Sequence, residues 1–184
     1  MRKNFLIPLS VLSLMLVGCG TNIDEATDEP YDMWNYMTPD VSYEVTYDVY
    51  ENGNKVDYLV ETTNVLDIDR VVRESGQDII SMTRYENTLQ IEKSNEAPIT
   101  VQRFVKVGDQ DVFQSTAIDY CDVENFYRST LIKGVEFYNV LEVYCQTDSS
   151  KTTFYYGYNE GIVAFYREEG DKRVEQLKVE ENRL

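Results

Sequence analysis

The chain contains no histidine, and that absence restricts its chemistry more than any residue present. Ser-His-Asp and Cys-His catalysis both require an imidazole base, and imidazole is also the commonest metal ligand. Cys121 and Cys145 lack the close spacing of a thiolate pair, so a Cys/His zinc site is excluded. Thr130-Leu131-Ile132-Lys133 has the spacing of a hydroxyl–lysine dyad without its accompanying motifs. Asp67-Ile68-Asp69 and Asp109-Gln110-Asp111 match fragments of a calcium loop but lack the later ligands and the closing glutamate. Paired carboxylates hydrolyse glycosides, yet with 33 acidic residues some pair always looks suitable. Neither a Walker loop nor Gly-x-Gly-x-x-Gly offers a nucleotide cradle. The expectation is a non-catalytic protein with no cofactor and no metal site.

The one residue with a clear chemical fate lies near the start. Arg2 and Lys3 precede an apolar run over 5–17 that is shorter than a spanning helix, contains Pro8 and ends in Leu16-Val17-Gly18-Cys19. These residues resemble the signal of bacterial lipoproteins, in which Leu-x-Gly-Cys is the lipobox. The resemblance implies cleavage before Cys19, a diacylglycerol on its thiol and a further acyl chain on its amine. Several chains give a stable anchor, since each buried CH₂ contributes about 0.8 kcal/mol. Gly20 departs from the aspartate that retains such proteins in the inner membrane. The outer membrane is therefore the expected address, with the domain in the periplasm.

The expected organisation is a signal over 1–18, an acidic flexible tether over 19–40 and a β domain over 41–184. Arg2 and Lys3 are the only charges in the signal, so the remaining 166 residues carry 15 bases against 33 acids, a formal charge of −18. Such a surface repels nucleic acid, and no basic stripe offsets it. With Cys19 committed to lipid, Cys121 and Cys145 are left in an oxidising compartment, either as a disulfide or as two buried thiols on neighbouring strands. Within the tether, Tyr31-Asp32-Met33-Trp34-Asn35-Tyr36-Met37 is dense in bulky residues. It reads either as a segment packing on the domain or as a docking peptide whose anchors are Trp34, Tyr36 and Met37.

From Val41 the hydrophobic period becomes two. Tyr43, Val45, Tyr47 and Val49 alternate with polar residues, Asn52-Gly53 marks a hairpin turn, and Val56, Tyr58 and Val60 are expected on the apolar face of the return strand. Further strands are predicted over 65–74, 79–85, 88–93, 99–107, 112–120, 135–145, 152–158, 162–167 and 172–180. The stretch 122–133 is the least strand-like, with a short helix expected near 123–128. Strands at such short intervals, separated by turn signals, predict an all-β domain: one antiparallel, strongly curved sheet or partly open barrel.

Gly134-x-x-Phe137-x-Asn139-Val140-Leu141-Glu142-Val143, with Tyr155-Tyr156-x-x-Asn159-x-Gly161-Ile162-Val163, is similar to a strand–turn–strand pattern in β-rich envelope lipoproteins. Some of these have half-open barrels that hold lipid, so the resemblance favours a curved sheet. Fifteen tyrosines suit pleated surfaces or line a concave aromatic face. The leading functional expectation is a lipid-anchored module that binds an envelope protein or stabilises an assembly. The alternative is a carrier or chaperone for a lipid or other hydrophobic ligand in the concave sheet.

Overall fold

Asn52 and Gly53, at φ 48° and 84°, form the left-handed two-residue turn that matches the twist of antiparallel strands. They join β3 (Tyr43–Glu51) to β4 (Asn54–Asp67). A computed structural model describes residues 22–23, 29–94 and 96–184. The signal, Cys19 and the tether residues 24–28 lie outside the described residues. Before β3 come β1 (Asn22–Ile23), β2 (Tyr31–Asp32) and α1 (Met33–Met37). After β4 follow β5 (Arg70–Ser75), β6 (Asp78–Arg84), β7 (Thr88–Lys93), β8 (Ile99–Gln102), β9 (Phe104–Val105) and β10 (Phe113–Gln114). The chain ends with β11 (Tyr120–Ile132), β12 (Val135–Gln146), β13 (Lys151–Gly157), β14 (Gly161–Glu169) and β15 (Lys172–Arg183).

Thirteen of these strands form one antiparallel sheet in the order β1-β11-β12-β13-β14-β15-β3-β4-β5-β6-β7-β8-β10, and β2 pairs with β9 separately. The order is two meanders joined where the last strand meets the first long one: Arg183 lies opposite Tyr43 and Val174 opposite Glu51. The sheet thus curls into a barrel that is nearly closed, with one seam. Irregular chain over 106–112 fills that seam. Gln102 N donates to Val112 O, Val112 N to Cys121 O and Gly108 N to Val123 O, each at 2.8 Å, and Val123 N donates to Asp109 O at 2.9 Å. These bonds satisfy the edge groups of β8 and β11 that an open sheet would leave unpaired.

Alternation along each strand sorts the side chains. Val71, Met82, Leu89, Val101, Val123, Leu141 and Val143 fill the interior together with residues of α1. A second apolar cluster lies on the outer face, because β12 bends at Asn139 (φ 50°) and the β11–β12 tip folds over β14 and β15. Ile132 and Phe137 pack there with Ala164 and Leu177, flanked by Tyr50, Tyr155 and Tyr166. Lys133 in the tip reaches Glu175 at 2.5 Å. Beneath it, Glu142 accepts hydrogen bonds from Asn125 Nδ2 at 2.7 Å, Tyr127 Oη at 2.6 Å and Tyr155 Oη at 3.0 Å.

Four local expectations are corrected. No helix occurs at 123–128; that stretch lies within β11, which pairs with β12 on both sides of a bulge. A register shift between Val123 and Asn125 breaks the period of two and disguises the strand. The helix is instead α1, capped by Asp32, whose side chain accepts from Trp34 N. The strand expected over 65–74 is two strands, since Asp67 Oδ1 accepts from Asp69 N at 2.9 Å and closes a turn between β4 and β5. The strand expected over 112–120 shrinks to Phe113–Gln114.

The fourth correction concerns β4. A shift between Val49 and Tyr50 leaves Val56 as an extra residue, so Tyr47 faces Leu59 and Val45 faces Glu61. One inserted residue exchanges the two faces of a strand. Val56, Tyr58 and Val60 therefore point outward, 54%, 67% and 40% exposed, while Glu61 and Thr63 turn inward.

Candidate functional site: the barrel lumen

Inward positions follow from register. Tyr43 and Val45 of β3 face Thr63 and Glu61 of β4, Thr63 faces Arg73 of β5, and Arg73 faces Ile80 of β6. Met82, Ile91 and Ile99 continue the face across β6, β7 and β8. From the other side come Cys145, Phe154, Tyr156 and Ile162 of β12 to β14. These walls surround a cavity of about 610 Å³, inside the range of roughly 300–1,000 Å³ typical of small-molecule sites.

The two ends of the lumen differ. At one end α1 acts as a floor, with Met37 lining the cavity and Asn35 O accepting from Asn159 N in the β13–β14 turn. Asp32 pins this segment to Arg103, which donates from Nη2 at 2.7 Å and from Nε to both carboxylate oxygens at 3.1 Å. The guanidinium of Arg84 sits 5.3 Å from the Trp34 ring centre, a cation–π contact. At the other end, residues 116–119 and the turn 147–150 form a mouth together with Lys93, Glu96 and Arg167. Each mouth cation already has a carboxylate: Lys93 pairs with Asp78 and Glu96, and Arg167 pairs with Glu169.

Arg73 is different. Its side chain is 16% exposed and its Nε lies 3.5 Å from Glu61 Oε2, beyond good hydrogen-bond length. Among the described residues, buried Arg73 Nε and Glu61 Oε1 have no hydrogen-bond partner. Burial pushes the Glu61 carboxyl above the usual carboxylate range, and Arg73 only partly reverses this. Burial acts most strongly on Arg73 and opposes its charge, but Glu61 together with Tyr47, Tyr156 and Tyr43 more than offsets it and the guanidinium stays charged. The result is an under-bonded ion pair beside the buried Thr63 hydroxyl in a mostly apolar inner wall, which costs free energy unless another group completes it.

The residues singled out from the sequence are scattered. Cys121 and Cys145 face each other across β11 and β12 and form a disulfide in the lumen wall. Trp34, Tyr36 and Met37 are 7%, 5% and 5% exposed and belong to the interior core. They are thus not presented as surface anchors, and the aromatic segment packs on its own domain. Cys19 lies outside the described residues. Thr130 and Lys133 form no dyad, since Lys133 is held by Glu175 and lies over the Tyr50 ring. Asp109 accepts from Lys106 N, and Asp111 N donates to Asp122, so this pair braces the seam. Among the described residues, no group of three or more acidic or cysteine side chains is placed to hold a metal ion.

The tyrosines do not make one concave face. Tyr43, Tyr47 and Tyr156 point inward and are buried, whereas Tyr58, Tyr138 and Tyr158 are exposed. Tyr43 Oη donates to Glu160 O at 3.1 Å and Tyr47 Oη to Ile162 O at 2.9 Å, so their hydroxyls are spent on backbone. Glu61 escaped sequence reasoning because its face depends on the β4 register shift. For Arg73 the available signal was its place two residues from Val71, which puts both on one face of β5. No protein-family model and no curated protein matches the chain.

Proposed function

We propose that this protein is a non-catalytic, lipid-anchored envelope protein that holds one hydrophobic or amphiphilic molecule in its barrel lumen. The observation that carries this reading is the cavity of about 610 Å³, apolar over most of its inner wall, closed below by α1 and open above at a polar mouth. A cavity lined by Ile80, Met82, Ile91, Ile99, Phe113 and Phe154 has an affinity for hydrocarbon roughly proportional to the apolar area it covers, about 25 cal/mol per Å². The Cys121–Cys145 disulfide supports an exported, oxidising location. The lipobox supports an anchor at Cys19, with the outer membrane and periplasm as the address.

The test is native mass spectrometry of protein purified from its own envelope, before and after organic extraction. A bound species of one molecule per chain is expected, lost on extraction and excluded by the lumen-filling substitution Ile91→Trp. If native and extracted protein have equal mass and neither takes up palmitic acid or 1-hexadecanol, the carrier reading fails.

A second reading, docking of an envelope protein, is favoured by the outward stripe Val56, Tyr58 and Val60, since exposed contiguous apolar side chains mark interaction surfaces. A photo-crosslinker at position 58 should then capture one defined envelope protein in cells. Capture no more specific than from position 171 would remove this reading.

A further inference from the structure

We infer that the lumen takes a single-chain amphiphile with a carboxylate head, inserted head-first so that the head meets Arg73 on the inner wall and the tail fills the space toward the mouth. This rests on the carrier reading and specifies its ligand.

Four observations converge. Arg73 faces the cavity, and a guanidinium offers five N–H donors in a planar fork suited to a carboxylate. Among the described residues its one ionic contact is Glu61 at 3.5 Å, and its buried Nε makes no hydrogen bond. The surrounding inner wall is hydrocarbon and aromatic: Met37, Ile80, Met82, Tyr156 and Ile162. A head group in water-poor surroundings gains more from such a donor than it would at the surface. The mouth cations Lys93 and Arg167 are already matched by carboxylates, so the under-bonded cation lies inside rather than at the entrance.

Glu61 sets the strength of the site. It shares Arg73 with any incoming anion, and its own Oε1 is left without a hydrogen-bond donor. Removing its charge should therefore strengthen carboxylate binding, whereas a merely structural ion pair would be harmed from either side.

The experiment uses the mature chain with Cys19→Ala, exported behind an ordinary cleavable signal so that the disulfide forms and no acyl anchor competes for the lumen. Palmitic acid and 1-hexadecanol, which share a chain and differ in the head, are titrated by calorimetry. The acid should bind about tenfold or more tighter than the alcohol, a factor set by a charge-assisted hydrogen bond. Arg73→Met should remove that preference while leaving the alcohol within about twofold, and Glu61→Gln should raise acid affinity several-fold. Equal binding of acid and alcohol by the unsubstituted site overturns the head-first assignment and leaves the carrier reading standing. If neither ligand binds, both fail. If Arg73→Met does not fold, the head-group comparison and Glu61→Gln decide alone, and weaker acid binding by Glu61→Gln overturns the inference.

Discussion

Reducing the Cys121–Cys145 bond isolates one contribution to this fold. The cysteines are 24 residues apart, and cross-linking a loop of that length removes unfolded-state entropy worth about 3.5 kcal/mol at 25 °C. That is a large share of the roughly 5–15 kcal/mol by which domains are stable. Dithiothreitol leaves both sulfurs in place, so the reduced protein keeps its packing in the wall where Cys121 and Cys145 are buried. The difference therefore reads the cross-link rather than a cavity. With a urea slope of about 2 kcal/mol per molar, the unfolding midpoint should fall by about 1.5–2 M on reduction. The double substitution Cys121→Ala/Cys145→Ala should lie lower still, because it also removes two buried sulfurs. Circular dichroism during urea titration measures all three. Superimposed curves for oxidised and reduced protein would refute the reasoning.

Two further outcomes follow from the interior. Trp34→Ala should destabilise by about 3–5 kcal/mol, the usual range for a buried tryptophan, as a lowered urea midpoint; a loss under about 1 kcal/mol would mean α1 does not form the floor. The carboxyl of Glu61 is raised above its ordinary value of 4.5, by burial first and despite Arg73. The native state therefore holds a proton that the unfolded state releases, and Glu61 favours folding below about pH 4.5 and loses that effect as pH rises through its native value. Replacement by Gln should flatten this part of the stability–pH curve, and parallel curves for the two proteins would contradict it.

The strands with strong local markers were legible in the sequence. Asn52-Gly53 announced the β3–β4 hairpin, and β6, β7, β12, β13 and β14 fall within a residue or two of their apolar alternation. What escaped prediction was everything set by register. The extra residue Val56 reverses the faces of β4, hiding Glu61 as a lumen residue and turning Tyr58 out. The Val123–Asn125 shift made β11 look unlike a strand. A periodicity argument assumes an unbroken ladder, and bulges break it where curvature is greatest. The pairing of β3 with β15 carries no local signal at all, and neither does the burial of Trp34, whose partners include Arg84 on β6.

That same β3–β15 pairing orders events during folding. Tyr43 pairs with Arg183, so β3 cannot complete its ladder until strand β15 is available to it. Contacts this distant in sequence form slowly, and for that interval β3 presents an unpaired edge to every other strand nearby. The last twelve residues of strand are thus a lock as much as a wall. A chain truncated before Lys172 would have both meanders made and nothing to join them, a substrate for proteases and for pairing with its own copies.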